Sequence, residues 1–130
     1  MTATTGTSRI LIDSSGWLEY LTADTKAAQF ESHLINPKNT LIVPTVVLYE
    51  VRKKLLAGQL KIAEDWFLSE ALRHTVVPLD ERVAIDAAAV SLQFRVPMAD
   101  AIIYTTAVAE SAQLITGDAH FGGLPNVTII

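Results

Sequence analysis

The sequence predicts an α/β domain, a three-layer α/β/α sandwich around a mostly parallel central sheet of roughly five strands. Three observations predict it. Short apolar runs recur along the chain, most of them have no polar alternation, and helical patterns lie between them. Unalternating runs are what strands covered on both faces look like. Strands that alternate with helices imply right-handed crossovers and a parallel sheet. With 130 residues, 50% of them hydrophobic, the chain can bury a core as one domain without disulfides or a structural metal.

The elements follow in order. The opening MTATTGTSR is polar and lacks the apolar stretch of a signal peptide or anchor. Residues 1–8 are therefore expected to be a disordered tail and 9–130 the single domain. Strands are predicted at RILID (9–13), TLIVP (40–44), TVVPL (75–79), QLIT (113–116) and VTII (127–130). Helical spacing of apolar residues predicts helices over 14–22 and 26–35, parted by TADT. A second pair over 45–57 and 59–73 breaks at Gly58, and a third over 80–94 and 98–112 breaks near Pro97. Glycine ends helices through its backbone freedom, and proline cannot continue one. No apolar run approaches the roughly 20 residues of a membrane span. The chain has no cysteine, which removes thiolate zinc sites and cysteine nucleophiles and suits a cytoplasmic protein.

In sheets of this kind ligands sit beyond the carboxyl ends of strands, near the point where strand order reverses. Two aspartates stand at such ends: Asp13 after RILI and Asp118 two residues after QLIT. Asp100 opens an Ala-rich helix, and Glu50 lies inside a helix flanked by Val47, Val51, Leu48 and Leu55. Each acid also has a structural explanation. Asp13 can cap a helix, Asp118 can form a Gly-Asp turn, Asp100 can complement a helix dipole, and Glu50 can pair with Lys54 one turn on. Glu50 fits its explanation least well, because a carboxylate among apolar neighbours is costly unless paired.

Four stretches, LIDSSGWLEYL, VVLYEVRKKL, MADAIIYTTAVAESAQLITGD and the following AHF, resemble in order and separation the motifs of the PIN-domain ribonucleases. The resemblance is specifically to the VapC-like toxins of type II toxin–antitoxin pairs. It covers almost the whole chain after the tail. It implies a PIN-like fold and a divalent-metal-dependent endoribonuclease using Mg2+ or Mn2+, with Asp13, Glu50, Asp100 and Asp118 as metal ligands and catalytic acids. It also implies a homodimer and a cognate antitoxin that obstructs the site. Ser15, or its neighbour Ser14, matches the small hydroxyl residue after the first acid, and Thr116 matches the threonine before the last. Both sets are open to two roles, capping and turn formation or substrate contact. One departure is His120, where some relatives have another acid. If that acid helps hold a second metal, this chain holds it less well.

Oxygen ligands without clustered His or Cys favour Mg2+ or Mn2+ over zinc. The net charge of -4 opposes non-specific nucleic-acid binding, but acids concentrated in a metal pocket would account for part of it. Arg52, Lys53 and Lys54, with Lys61 and Arg95, are the candidate RNA phosphate contacts, the alternative being a solvated helix face. His33, His74 and His120 show no metal-ligand spacing. Two other readings compete with the nuclease. A phospho-acceptor receiver domain would want an acidic pair after the first strand, where Asp13 is followed by two serines. A non-catalytic interaction module would keep the fold and use the acids as caps.

Overall fold

A computed structural model describes residues 8–130. The tail expected over 1–8 therefore lies outside the described residues except for Ser8, which begins the first strand. The described residues form β1 (Ser8–Ile12), α1 (Ser14–Leu21), α2 (Ala27–Leu34), β2 (Asn39–Pro44), α3 (Thr45–Ala57) and α4 (Lys61–Ala71). They continue with β3 (Thr75–Val77), α5 (Glu81–Phe94), α6 (Met98–Ala109), β4 (Gln113–Thr116), a short 3₁₀ helix (Ala119–Phe121) and β5 (Val127–Ile129). The alternation read from the sequence is present throughout, and the differences are at element ends.

Each end has a local cause. The Asp13 carboxylate accepts from the Gly16 N–H and caps α1, and that of Asp80 accepts from the Val83 N–H and caps α5. β3 stops at Val77, before Pro78, which has no N–H to give a ladder. α6 stops at Ala109 rather than 112, where Ser111 turns to φ +53°. The break between α3 and α4 falls at Gly58 as expected, but Gly58 stays right-handed at φ -83° and Gln59 takes the left-handed conformation at φ +55°.

The five strands stand in the order β3-β2-β1-β4-β5, and every neighbouring pair is parallel. Consecutive residues Ile10, Leu11 and Ile12 are all buried. Successive strand residues point to opposite faces, so both faces of the sheet are covered. A receiver-type sheet runs 2-1-3-4-5, so the topology separates this chain from that alternative. Strand order reverses between β1 and β4, and the crevice there is where Asp13 and Asp118 leave the sheet. Among the described residues no helix is long and apolar enough to cross a membrane.

The core beneath the crevice is tightly filled. Trp17 meets Phe67 edge-on at 5.2 Å, which ties α1 to α4, and both are fully buried with Phe30 and Leu114. Gly16, in the first turn of α1, leaves no room for a side chain: a Cβ there would lie 2.6 Å from Ile12 Cγ2 and 2.7 Å from Phe30 Cε1. Gly16→Ala should therefore destabilise the protein. Overpacking costs about 1–3 kcal/mol, against about 1 kcal/mol regained in helix propensity. A lower urea midpoint with an unchanged slope is the expected result, and an alanine variant as stable as the parent would refute the packing argument.

Candidate metal centre

Asp13 follows β1 directly and is 3% exposed. Its carboxylate is held from three directions. Oδ1 accepts from the Gly16 N–H at 2.9 Å, the Ser15 hydroxyl lies 2.9 Å from both oxygens, and Thr116 Oγ1 donates to Oδ2 at 2.6 Å. Thr116 is the last residue of β4, so its bond joins the two strand ends across the crevice. The same Thr116 oxygen accepts from the Asp118 N–H at 2.9 Å, and Ser15 Oγ accepts from Gly117 N–H at 3.4 Å. Thr116 is fully buried with its hydroxyl engaged on both sides. It organises Asp13 and Asp118 and does not face solvent.

Asp118 is half-buried, and its Oδ1 accepts from the His120 N–H at 2.8 Å, capping the 3₁₀ helix. Asp100 sits in the first turn of α6 with its side chain 19% exposed. One ligand atom from each of Asp100, Asp118 and His120 lies within 4.8 Å of the other two. Glu50 enters from α3. Its carboxylate accepts from Ser14 Oγ at 2.6 Å, the first residue of α1, instead of pairing with Lys54. Capping and convergence thus coexist, since the bonds that fix the acids as caps also set their positions around the crevice.

The electrostatics record the convergence. Burial first, then the charges of Asp118, Glu50 and Asp13, push the Asp100 carboxyl up to about 6, against a smaller lowering by His120. Asp13 is also raised, by burial and by Asp118, although the bonds from Thr116, Gly16 and Ser15 oppose this. Among the described residues no Lys or Arg forms a salt bridge with any of these four acids. Partly dry carboxylates gathered without a balancing base fit a hard divalent cation, and the imidazole of His120 adds one nitrogen donor.

The basic residues divide. Arg52 Nε donates to Glu64 Oε2 at 2.9 Å and is turned toward α4, away from the acids. Lys53 lies on the Glu50 side. It rests 5.7 Å from the centroid of the Tyr49 ring and lines, with Glu50, Lys54 and Tyr49, a groove of about 390 Å³. His74 bonds to Glu70, as a satisfied residue would. Spacing gave His120 no ligand role, and the sequence marked it only as a departure from the acid of some relatives. The available signal was the Asp-x-His order on a turn, because an aspartate that caps the N–H two residues on brings that residue's side chain beside itself.

The raised Asp100 carboxyl sets a direction in pH. Well below its ordinary value of 3.8 the carboxyl is protonated in folded and unfolded chains alike and has no effect on stability. Between about 4 and 6 the unfolded chain releases a proton that the folded chain keeps, so the metal-free protein loses stability as pH rises through this window. The penalty persists above it, on the order of 3 kcal/mol from the full shift and less after solvent screening of this half-buried group. In chelator, Asp100→Asn should be more stable than the parent near neutral pH and flatter between pH 4 and 6 in melting experiments. A variant that follows the parent's curve would mean that the acids are not coupled.

The fold agrees with what the chain is similar to. A protein of a toxin–antitoxin complex from Klebsiella pneumoniae superposes with a TM-score of 0.76 at 20% identity, over 92% of this chain and 95% of that one. VapBC2 from Rickettsia felis, bound to a promoter DNA fragment, gives 0.70 at 19% identity over 94% and 97%. VapBC-5 from Mycobacterium tuberculosis gives 0.67 at 21% over 95% and 98%. At such identities the likeness is one of fold. No curated protein matches the sequence. The profile of the PIN domain matches residues 10–126, nearly all of the chain that carries the sheet, the crevice and the four acids, and the chain belongs to the PIN-domain family.

Proposed function

We propose that this chain is a divalent-cation-dependent endoribonuclease, the toxin of a toxin–antitoxin pair, working in the cytoplasm. The observation that supports this most is the set of acids near the β1/β4 crevice, with Asp13, Glu50 and Asp118 held by hydrogen bonds and, among the described residues, no basic side chain but His120 paired with the set. Asp13, Glu50, Asp100 and Asp118 would hold Mg2+ or Mn2+. When bound there, such a cation supplies Lewis-acid polarisation of a phosphodiester and a water acidic enough to attack it.

The chain's own residues have the task of positioning. Gly16, Ser15 and Thr116 fix the Asp13 carboxylate, so its charge need not reorient when a cation or phosphate arrives. Ser14 does the same for Glu50. Because Ser14 and Ser15 give their protons to carboxylates, neither is arranged as a nucleophile beside a histidine base. Lys53 and Lys54 stand along the groove beside Glu50, where they can meet backbone phosphates of the RNA. Ser15 remains a proposed substrate neighbour only through its edge position, since its hydroxyl serves Asp13. Arg52, engaged by Glu64, is the weakest of the proposed phosphate contacts.

Two surfaces suit the proposed partners. Val83 and Ala87 bury one face of α5, while Ile85 and Leu92 on another face are 71% and 84% exposed. Ala84, Ala88 and Ser91 with Leu79 and Met98 line an adjacent groove. That second apolar face supports a homodimer. A separate groove of about 750 Å³, lined by Tyr20, Leu60, Ile62 and Trp66 among others, offers an antitoxin an apolar seat.

A second reading, an interaction module whose acids act only as caps, draws on the capping roles of Asp13 and Asp118. Cleavage separates the two. Purified protein free of its partner should cut structured RNA with Mg2+ or Mn2+ and stop in excess chelator, and Asp100→Asn should remove most of the activity while folding normally. Asp100 is a cleaner probe than Asp13, whose replacement also disturbs the buried bonds between β1 and β4. Cutting that continues undiminished in chelator would overturn the metal-dependent reading, and intact RNA under all conditions would favour the module. For the dimer, light scattering should give twice the chain mass for the parent and the single mass for Leu92→Glu. A monomeric parent, or a variant that stays paired, would remove α5 as the interface.

A further inference from the structure

Among the three histidines, His120 alone faces two acids of the crevice. Its Nδ1 lies 3.3 Å from Asp118 Oδ1 and 3.8 Å from Asp100 Oδ2, and its side chain is 69% exposed. Its position is not incidental to a loose loop. The His120 N–H donates to the carboxylate of Asp118, the Phe121 N–H donates to the Asp118 carbonyl, and the Phe121 side chain is fully buried as an anchor for the turn. The same hydrogen bonds therefore fix the Asp118 oxygens and the root of the imidazole.

The spacing of the three donors suits a single cation. Ligand atoms about 2.0–2.2 Å from one ion stand about 3 Å apart when adjacent and about 4.2 Å apart when opposite. The separations of 3.3 and 3.8 Å, with all three donors within 4.8 Å of one another, lie close to that range. The donors differ in kind. Asp100 and Asp118 bring hard, anionic oxygens, whereas His120 brings a softer nitrogen that carries no negative charge when it ligates. Mg2+ demands oxygen ligands and keeps its waters, while imidazole favours the later first-row metals.

We infer that His120 is a nitrogen ligand to the cation held by Asp100 and Asp118, and that it biases this site toward Mn2+ over Mg2+. The inference rests on the metal-dependent reading above. It adds the cation preference of this particular chain and a residue that determines it.

Binding and spectroscopy test it without reference to cleavage. The full chain, stripped with chelator, is titrated by calorimetry with MnCl2 and separately with MgCl2, alongside His120→Ala and His120→Asp. Removal of the ring should weaken Mn2+ binding by about tenfold and Mg2+ binding by less than about threefold. The aspartate should recover Mg2+ binding and narrow the preference between the two ions. Pulsed electron paramagnetic resonance of the Mn2+ complex should show coupling to a directly bound nitrogen in the parent and none in His120→Ala. Equal losses for both ions in His120→Ala, or bound Mn2+ without nitrogen coupling in the parent, would overturn the role of His120 and leave the metal site standing. A parent that binds neither ion would overturn this inference together with the metal-dependent function.

Discussion

The hydrogen bond from Thr116 to Asp13, 2.6 Å long and fully enclosed, is the interaction on which the rest of the site depends. It joins the carboxyl ends of β1 and β4 where strand order reverses, the place at which a parallel sheet opens a crevice. Asp13 also caps α1 through Gly16, so the bond sets where that helix begins. Thr116 in turn accepts from Asp118, so the second acid takes its position from the first. One threonine thereby couples a strand pair, a helix start and two carboxylates. The low local dielectric makes each bond strong, and would make each broken partner costly.

The fold holds this centre against electrostatic resistance. Asp100 and Asp118 lie together beside His120, the charges of Glu50 and Asp13 also reach Asp100, and among the described residues no Lys or Arg pairs with these acids, so the Asp100 carboxyl is raised to about 6. Such a group is less stable in the charged state than in water. An assembly of this kind persists because the surrounding structure over-determines it. Gly16 packs so closely against Ile12 and Phe30 that α1 has one seat, and Trp17 against Phe67 fixes that helix to α4. A close-packed core transmits such constraints because it yields little. Under the proposed function, a cation bound among these acids would turn their mutual repulsion into shared attraction.

The distribution of charge also bears on an acidic chain that would act on a polyanion. The net charge of -4 is not spread evenly, because Asp100 and Asp118 lie together and the charges of Glu50 and Asp13 reach them. Lys53 and Lys54 line a groove with Glu50, while Arg52 is spent within the fold on Glu64, itself 5% exposed. Three consecutive basic residues on one helix thus have different fates. At 100° per residue they point in different directions, and only those three and four positions after Glu50 share its side of the helix.

The sequence by itself determined the architecture, because the information that specifies it is local and periodic. Unalternating apolar runs require strands with both faces covered, Asp13 and Asp80 mark helix starts, and Gly58 and Pro97 mark breaks whose positions the structure keeps. It also carried the four acids as residues in order. Only the tertiary structure decided how they meet, because the bonds that arrange them span large sequence separations: Ser14 to Glu50 across 36 residues and Thr116 to Asp13 across 103. No periodicity encodes such pairs. The same holds for the diverging roles of Arg52 and Lys53, which depend on where α4 packs, and for His120, whose ring meets Asp100 only because α6 begins where the turn after β4 lies. Local chemistry chose the elements, and the pairing of β1 with β4 chose their neighbours.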